Sequence, residues 1–227
     1  MLSIVHSRLS RRVLQHHLPL GLTSLTCAAV LYATRPYPDV ITRLSFATAY
    51  PALILTSATL AIGPIKLILG QGRAVSMDVR RDIGIWAGIW SLLHTGIGQC
   101  VHLRGRPWLY YLYSAREMRK HALPIRHDIF GFANFTGLAA SLILLLLFAT
   151  SNDIALHRLG IPKWKELQRW NYVSFGLIAL HTFAYQEGVE SQTWAFLGTA
   201  VAAMTVTLIM QLLGWRLTVR SRRSERA

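Results

Sequence analysis

Two histidines, His94 and His181, lie deep inside long apolar stretches of the chain. An ionisable side chain left unpaired in such surroundings costs several kcal/mol, so its presence calls for a chemical reason. A neutral imidazole can bind a metal, join two helices through a hydrogen bond or pass a proton. These two histidines are therefore the first candidates for function.

The depths of the two histidines match. His94 lies 13 residues after Arg81, and His181 lies 12 residues after Arg169. At about 1.5 Å per residue, each imidazole is about 18–20 Å from the same membrane face, on helices that run in the same direction. Two imidazoles so placed suit bis-histidine ligation of a heme iron in an apolar slot. On spacing alone, structural hydrogen bonding and a proton path remain open as alternatives.

The elements that position these histidines are six apolar stretches, each long enough to cross about 30 Å of hydrocarbon as a helix. The fold class predicted is therefore all-α, a polytopic membrane protein with six transmembrane helices. The stretches are Leu18–Thr34, Ser45–Leu69, Ile83–His102, Ile129–Thr150, Trp170–Gln186 and Trp194–Trp215.

Composition agrees with this class. Of 227 residues, 52% are apolar and only 15% are charged, whereas a soluble domain carries about 25% charge. The net charge of +14 could suggest nucleic acid, but no basic stretch is long enough to form a domain of its own. The cations are better explained as cytoplasmic residues near anionic lipid, so we expect membrane lipids and no nucleic acid as partners.

The distribution of Lys and Arg predicts that both termini are cytoplasmic, since 16 lie in the inner segments and 8 in the outer ones. We divide the chain into a basic arm (1–17), a six-helix membrane domain (18–215) and a basic tail (216–227). His16 and His17 in the arm, and His157 in an inner loop, are expected to be solvated.

The outer segment Leu103–Arg126 departs from this rule because it holds six cations. It also carries four aromatic residues, which are expected to anchor it on the membrane surface. The other interpretation is a docking surface for an acidic redox partner, and the lipid interpretation is slightly preferred. The cations are Arg104, Arg106, Arg116, Arg119, Lys120 and Arg126, and the aromatic residues are Trp108, Tyr110, Tyr111 and Tyr113.

Two blocks of motifs resemble the ferric reductase-like transmembrane domain family, over roughly residues 45–186. Within that family the chain is most similar to the heme-binding membrane subunit of the bacterial periplasmic methionine sulfoxide reductase system. The first block is TLAIGP at 59–64, RRDIGI at 80–85 and LLH at 92–94. The second is ATSND at 149–153, LG at 159–160, KWKELQR at 163–169 and ALH at 179–181.

The resemblance implies a b-type cytochrome of the bacterial inner membrane, with iron ligands at His94 and His181. It would move electrons from a cytoplasmic or quinone donor, through a heme on the outer side, to an acceptor or partner protein. His102, eight residues beyond His94, is a further candidate for contact with the cofactor, as a spare ligand or a hydrogen-bond donor to a propionate. An interfacial position is the simpler interpretation of His102.

One heme b per chain is expected. Two-heme relatives carry an inner histidine where this chain has Gln168, and a second where it has Arg80. The chain lacks a CxxCH motif, which excludes covalent c-type heme.

The chain also shows no nucleotide-binding fingerprint, since Gly70-Gln71-Gly72 follows no strand. Flavin or quinone chemistry would come from a partner, and we assign no catalytic residue. The protein is then an oxidoreductase subunit for electron transfer. The alternative, from another class, is a heme-free membrane scaffold or anchor subunit of a larger complex.

Overall fold

The computed structural model describes residues 10–35, 37–70, 77–103, 106–189 and 194–224. Within these ranges the chain is helical, and the one β-type pairing joins Leu112 to Ile125, which confirms the all-α class. The α-helices are α1 (Leu18–Thr34), α2 (Val40–Ile68), α3 (Met77–Gly98), α4 (Ile129–Ala149), α5 (Asp153–Gln168), α6 (Trp170–Phe183) and α7 (Trp194–Ser224). A π-helical segment, Ala184–Val189, continues α6.

Each of the six apolar stretches coincides with a helix, and α5 is an additional helix that the sequence did not predict. Four helical segments are long and apolar enough to cross a membrane: Ser10–Thr34, Val40–Ile68, Ile129–Ala149 and Leu197–Ser221. The two helices that carry His94 and His181 are outside this set. Helix α3 begins with four charged residues among its first six, and the α-helical part of α6 has 14 residues.

Polar side chains start three of the helices. Asp39 accepts a hydrogen bond from the Thr42 amide before α2, and Asp128 accepts one from the Gly131 amide before α4. Asn152 caps α5 in the same way. Each side chain satisfies an amide that the first turn leaves without an intrahelical partner.

Helix α2 is the centre of the bundle, because it packs against α1, α3 and α7. Between α2 and α3 lies a buried cluster of Ala52, Leu55, Ile83, Ala87 and Trp90. Helix α4 packs against α3 on one side and α6 on the other. This arrangement places α3 and α6 on opposite sides of a space that α2 and α4 border.

The expectation that His16 and His17 are solvated is wrong. Residues 10–17 continue α1 at its N-terminal end, and the carboxylate of Asp82 on α3 is fully buried beneath them. His16 Nδ1 lies 2.7 Å and His17 Nε2 lies 3.4 Å from the Asp82 oxygens, and Arg12 is paired with the same carboxylate. The histidines are there because a buried carboxylate requires such partners. Residues 1–9, including His6, lie outside the described part of the chain.

The outer segment is also folded differently from the expectation. Tyr110 and Tyr113 are 0% and 5% exposed, so they face the protein and do not anchor the segment in lipid, while Trp108 is 55% exposed. The Tyr113 amide donates to Pro124 O (2.8 Å) and the Arg126 amide to Tyr111 O (2.8 Å), which closes the segment into a loop. Arg104 lies outside the described residues.

Candidate cofactor site

A cavity lies between α2, α3, α4 and α6, and both candidate histidines line it. Its walls are largely apolar, with a few polar groups from each helix, which is the usual composition of a cofactor pocket. The lining includes Ser45, Tyr50, His94, His102, Gly137 and His181.

The two imidazoles face each other across this cavity. Their ring centres are 6.2 Å apart and their planes are inclined by 69°. A metal–imidazole bond is about 2.0–2.1 Å and a ring nitrogen lies about 1.1 Å from the ring centre, so two imidazoles on opposite sides of one metal ion have centres about 6.3 Å apart. The observed separation therefore suits two axial ligands of one metal ion. The structure brings together two residues that are 87 positions apart in the sequence.

Each imidazole is oriented by a backbone carbonyl of a neighbouring helix. His94 Nδ1 lies 3.0 Å from Ser45 O on α2, and His181 Nδ1 lies 2.7 Å from Ala133 O on α4. Because a carbonyl oxygen only accepts, each Nδ1 carries the proton and each Nε2 carries the lone pair. This second hydrogen bond is the usual way in which proteins hold a metal-binding histidine in the required tautomer.

Gly137 on α4 is a site residue that the sequence interpretation missed. A methyl group at its Cα would lie 2.6 Å from His181 Nδ1 and 2.8 Å from His181 Cε1, which is closer than van der Waals contact allows. Only glycine therefore lets the imidazole lie against the α4 backbone and reach Ala133 O. The signal available in the sequence was the pair of small residues Ala133 and Gly137, spaced four apart on one helix face.

The donor set fits a porphyrin better than a bare ion. Within the described residues, no group of three or more His, Cys, Asp or Glu side chains could hold a metal ion. Two imidazoles are too few for a stable protein site of a bare divalent metal, which takes three or four protein ligands. A porphyrin supplies four nitrogens itself and needs only axial ligands, and the apolar walls suit its faces.

His102 lies on the cavity wall but not between the two facing imidazoles. Its ring stacks on Tyr185 with centres 6.1 Å apart and planes inclined by 21°, and Tyr185 in turn lies 5.2 Å from the His181 ring. Its backbone amide donates to the Tyr110 hydroxyl at 2.6 Å. The structure thus places His102 in an aromatic group next to the candidate ligands.

His157 and the two inner positions are not part of the cavity lining. His157 is exposed on α5, as expected. Arg80 lies in the first turn of α3 and Gln168 is the last residue of α5, both far along the chain from the facing imidazoles.

Comparison with known proteins was made on this basis. No protein-family model matches the chain. Over 134 residues it is 31% identical to the protein-methionine-sulfoxide reductase heme-binding subunit MsrQ of Deinococcus radiodurans, which covers 59% of this chain and 58% of that protein. Over 157 residues it is 25% identical to MsrQ of Polaromonas naphthalenivorans, covering 69% of this chain and 61% of that protein.

The chain thus spans about three fifths of the length of the curated relatives that it matches. Both relatives bear the same name, and the resemblance noted from the motifs is of the same kind. By sequence, this protein is similar to the MsrQ heme-binding subunits of bacterial protein-methionine-sulfoxide reductases.

Proposed function

We propose that this protein is a membrane b-type cytochrome subunit in which His94 and His181 are the axial ligands of one heme. The observation that carries the proposal is the 6.2 Å separation of two imidazoles whose Nδ1 atoms are both held by backbone carbonyls. The name of the two relatives, heme-binding subunit, supports the same cofactor.

The residues of this chain have distinct tasks in such a site. His94 and His181 would hold the iron through Nε2, and Ser45 O and Ala133 O keep the imidazoles in the required tautomer. Gly137 gives His181 the room to lie against α4. When bound, the heme supplies one-electron chemistry between ferrous and ferric iron.

For the membrane arrangement we propose six spans with both termini in the cytoplasm of a bacterium and the protein in the inner membrane. The four apolar helices support a multi-pass protein. The remaining two predicted spans are α3 and α6, whose polar residues, the histidines among them, have partners within the protein. The excess of Lys and Arg on the inner segments supports the orientation.

Electrons would pass from a cytoplasmic or quinone donor to an acceptor on the outer side. Gln168 and Arg80 stand where two-heme proteins have inner ligands, so the proposal includes one heme per chain, bound toward the outer side. Any flavin or quinone would belong to a partner, and the complete reaction requires a redox partner protein.

The test is the reduced-minus-oxidised absorption spectrum of the purified protein, with His94→Ala and His181→Ala as variants. We expect the spectrum of a bis-histidine b-type heme, one heme per chain by pyridine hemochrome assay, and loss of that spectrum in both variants. His157→Ala is the matched control, because that histidine is exposed and far from the cavity. Full heme retention in both single variants would show that the ligands lie elsewhere, and two hemes per chain would reveal a missed ligand.

A further inference from the structure

The outer loop, residues 106–126, is held to the helix bundle by its aromatic residues. Tyr110 is fully buried; its hydroxyl donates to Gly98 O (3.1 Å) and accepts from the His102 amide (2.6 Å). Its ring packs on Phe130, with centres 5.4 Å apart. Tyr110 and Tyr113, which could have anchored the loop in a lipid interface, thus face the protein.

The two carboxylates in and beside the loop are both bound to one arginine. The Arg126 side chain is 9% exposed; its Nη1 lies 2.6 Å from Asp128 and its Nη2 2.8 Å from Glu117. The other Glu117 oxygen accepts from the Ser114 amide (2.9 Å) and hydroxyl (2.7 Å). These bonds hold the turn Glu117–Lys120 in place and compensate the charge of Arg126.

Three cations are then left on the outside of this fixed turn. Arg116, Arg119 and Lys120 are exposed, and the exposed apolar side chains Met118 and Leu123 lie near them in the sequence. The same loop contacts His102, which lines the cavity. The loop therefore joins a positively charged outer surface to the wall of the candidate cofactor site.

We propose that Arg116, Arg119 and Lys120 form the docking surface for a soluble one-electron redox protein that has a carboxylate-rich face. The inference rests on the proposed function, since it gives the outer-side heme its partner. A protein partner is favoured over lipid because the aromatic residues are buried and the turn is fixed by hydrogen bonds. Charge complementarity steers such partners into short-lived complexes, whose interfaces are small.

The probe is plant plastocyanin, an acidic blue-copper protein, added to the full-length protein in phosphatidylcholine nanodiscs. The variant carries Arg116→Gln, Arg119→Gln and Lys120→Gln, and the dissociation constant is measured by microscale thermophoresis. At about 10 mM ionic strength we expect binding to weaken about tenfold, and at about 0.15 M the difference should shrink to about twofold, because the Debye length falls from about 30 Å to about 8 Å.

The matched control removes three exposed cations from α5 by Arg158→Gln, Lys163→Gln and Lys165→Gln. Helix α4 separates the two sets by its 21 residues, about 31 Å, so this variant should bind plastocyanin within about twofold of the original protein. A circular-dichroism spectrum checks that both variants are folded. The His94→Ala protein is measured too, because docking needs no heme; its binding separates failure of this proposal from failure of the cofactor assignment.

Equal plastocyanin affinity of the outer-loop variant and the original protein at low salt overturns the proposal. So does an equal loss in the α5 control, which would mean that net charge alone matters. A third result would assign the surface to lipid: no plastocyanin binding, with hydrogen exchange of residues 114–121 slowed only in nanodiscs that contain phosphatidylglycerol.

Discussion

Replacing Gly137 by alanine should remove His181 from its position opposite His94. The new methyl group would lie 2.6 Å from His181 Nδ1, whereas carbon and nitrogen atoms in contact are about 3.5 Å apart, so the ring must move by about 0.9 Å. Metal–ligand distances tolerate only about 0.2 Å. The displacement also lengthens the hydrogen bond to Ala133 O, which is 2.7 Å in the structure.

We therefore expect the Gly137→Ala protein to lose one axial bond while it remains folded. Overpacking costs about 1–3 kcal/mol, and alanine returns up to about 1 kcal/mol of helix propensity. Heme retention should fall by about 10–100-fold, the effect typical of disturbing a group that orients a metal ligand. Any heme that remains should change from low spin to high spin in its absorption and electron paramagnetic resonance spectra.

The matched control is Gly176→Ala on α6, the helix of His181, because nothing lies within 4 Å of a methyl group at that position. It should keep the heme content and the low-spin spectrum. If Gly137→Ala also keeps both, then His181 is not held against α4 in the working protein, and the assignment of its orientation is wrong.

Two further predictions concern groups outside the cavity. Asp82→Asn should lower the free energy of unfolding by about 3–5 kcal/mol, because it leaves Arg12 without its fully buried carboxylate partner; thermal unfolding in detergent measures this. Asp39→Asn is the control, since asparagine caps a helix as well as aspartate does, and equal melting temperatures of the two variants would contradict the role of the Asp82 cluster. Hydrogen bonds from the Ser114 hydroxyl and amide, and then the charge of Arg126, lower the pKa of Glu117 from 4.5 to about 2. A lowered folded-state pKa means that the loop gains stability above pH 4.5 and loses it as the pH falls toward 2. Hydrogen exchange of residues 114–121 should therefore quicken over that range in the original protein, while Glu117→Gln should exchange quickly at both ends of it; an unchanged rate in the original protein would refute the coupling.

The helices and the depth of the histidines follow from local properties of the chain. Hydrophobic length and a constant rise per residue place His94 and His181 at one level before any packing is known. The apolar stretches thus predicted the six helices that carry the cavity. Helix α5 escaped prediction because it is short and polar, and an Asn152 cap and a kink at Gly160 define it more than any apolar periodicity does.

The contacts that complete the site depend on residues far apart in the sequence. His181 meets Ala133 O across 48 positions, His94 meets Ser45 O across 49, and His16 meets Asp82 across 66. Such pairings depend on how helix faces are turned toward one another, and a nearly uniform apolar stretch such as α4 carries little information about its rotation. For the same reason the burial of Tyr110 and Tyr113 came from packing alone, since an aromatic residue near a membrane surface suits a lipid interface and a protein interior equally well.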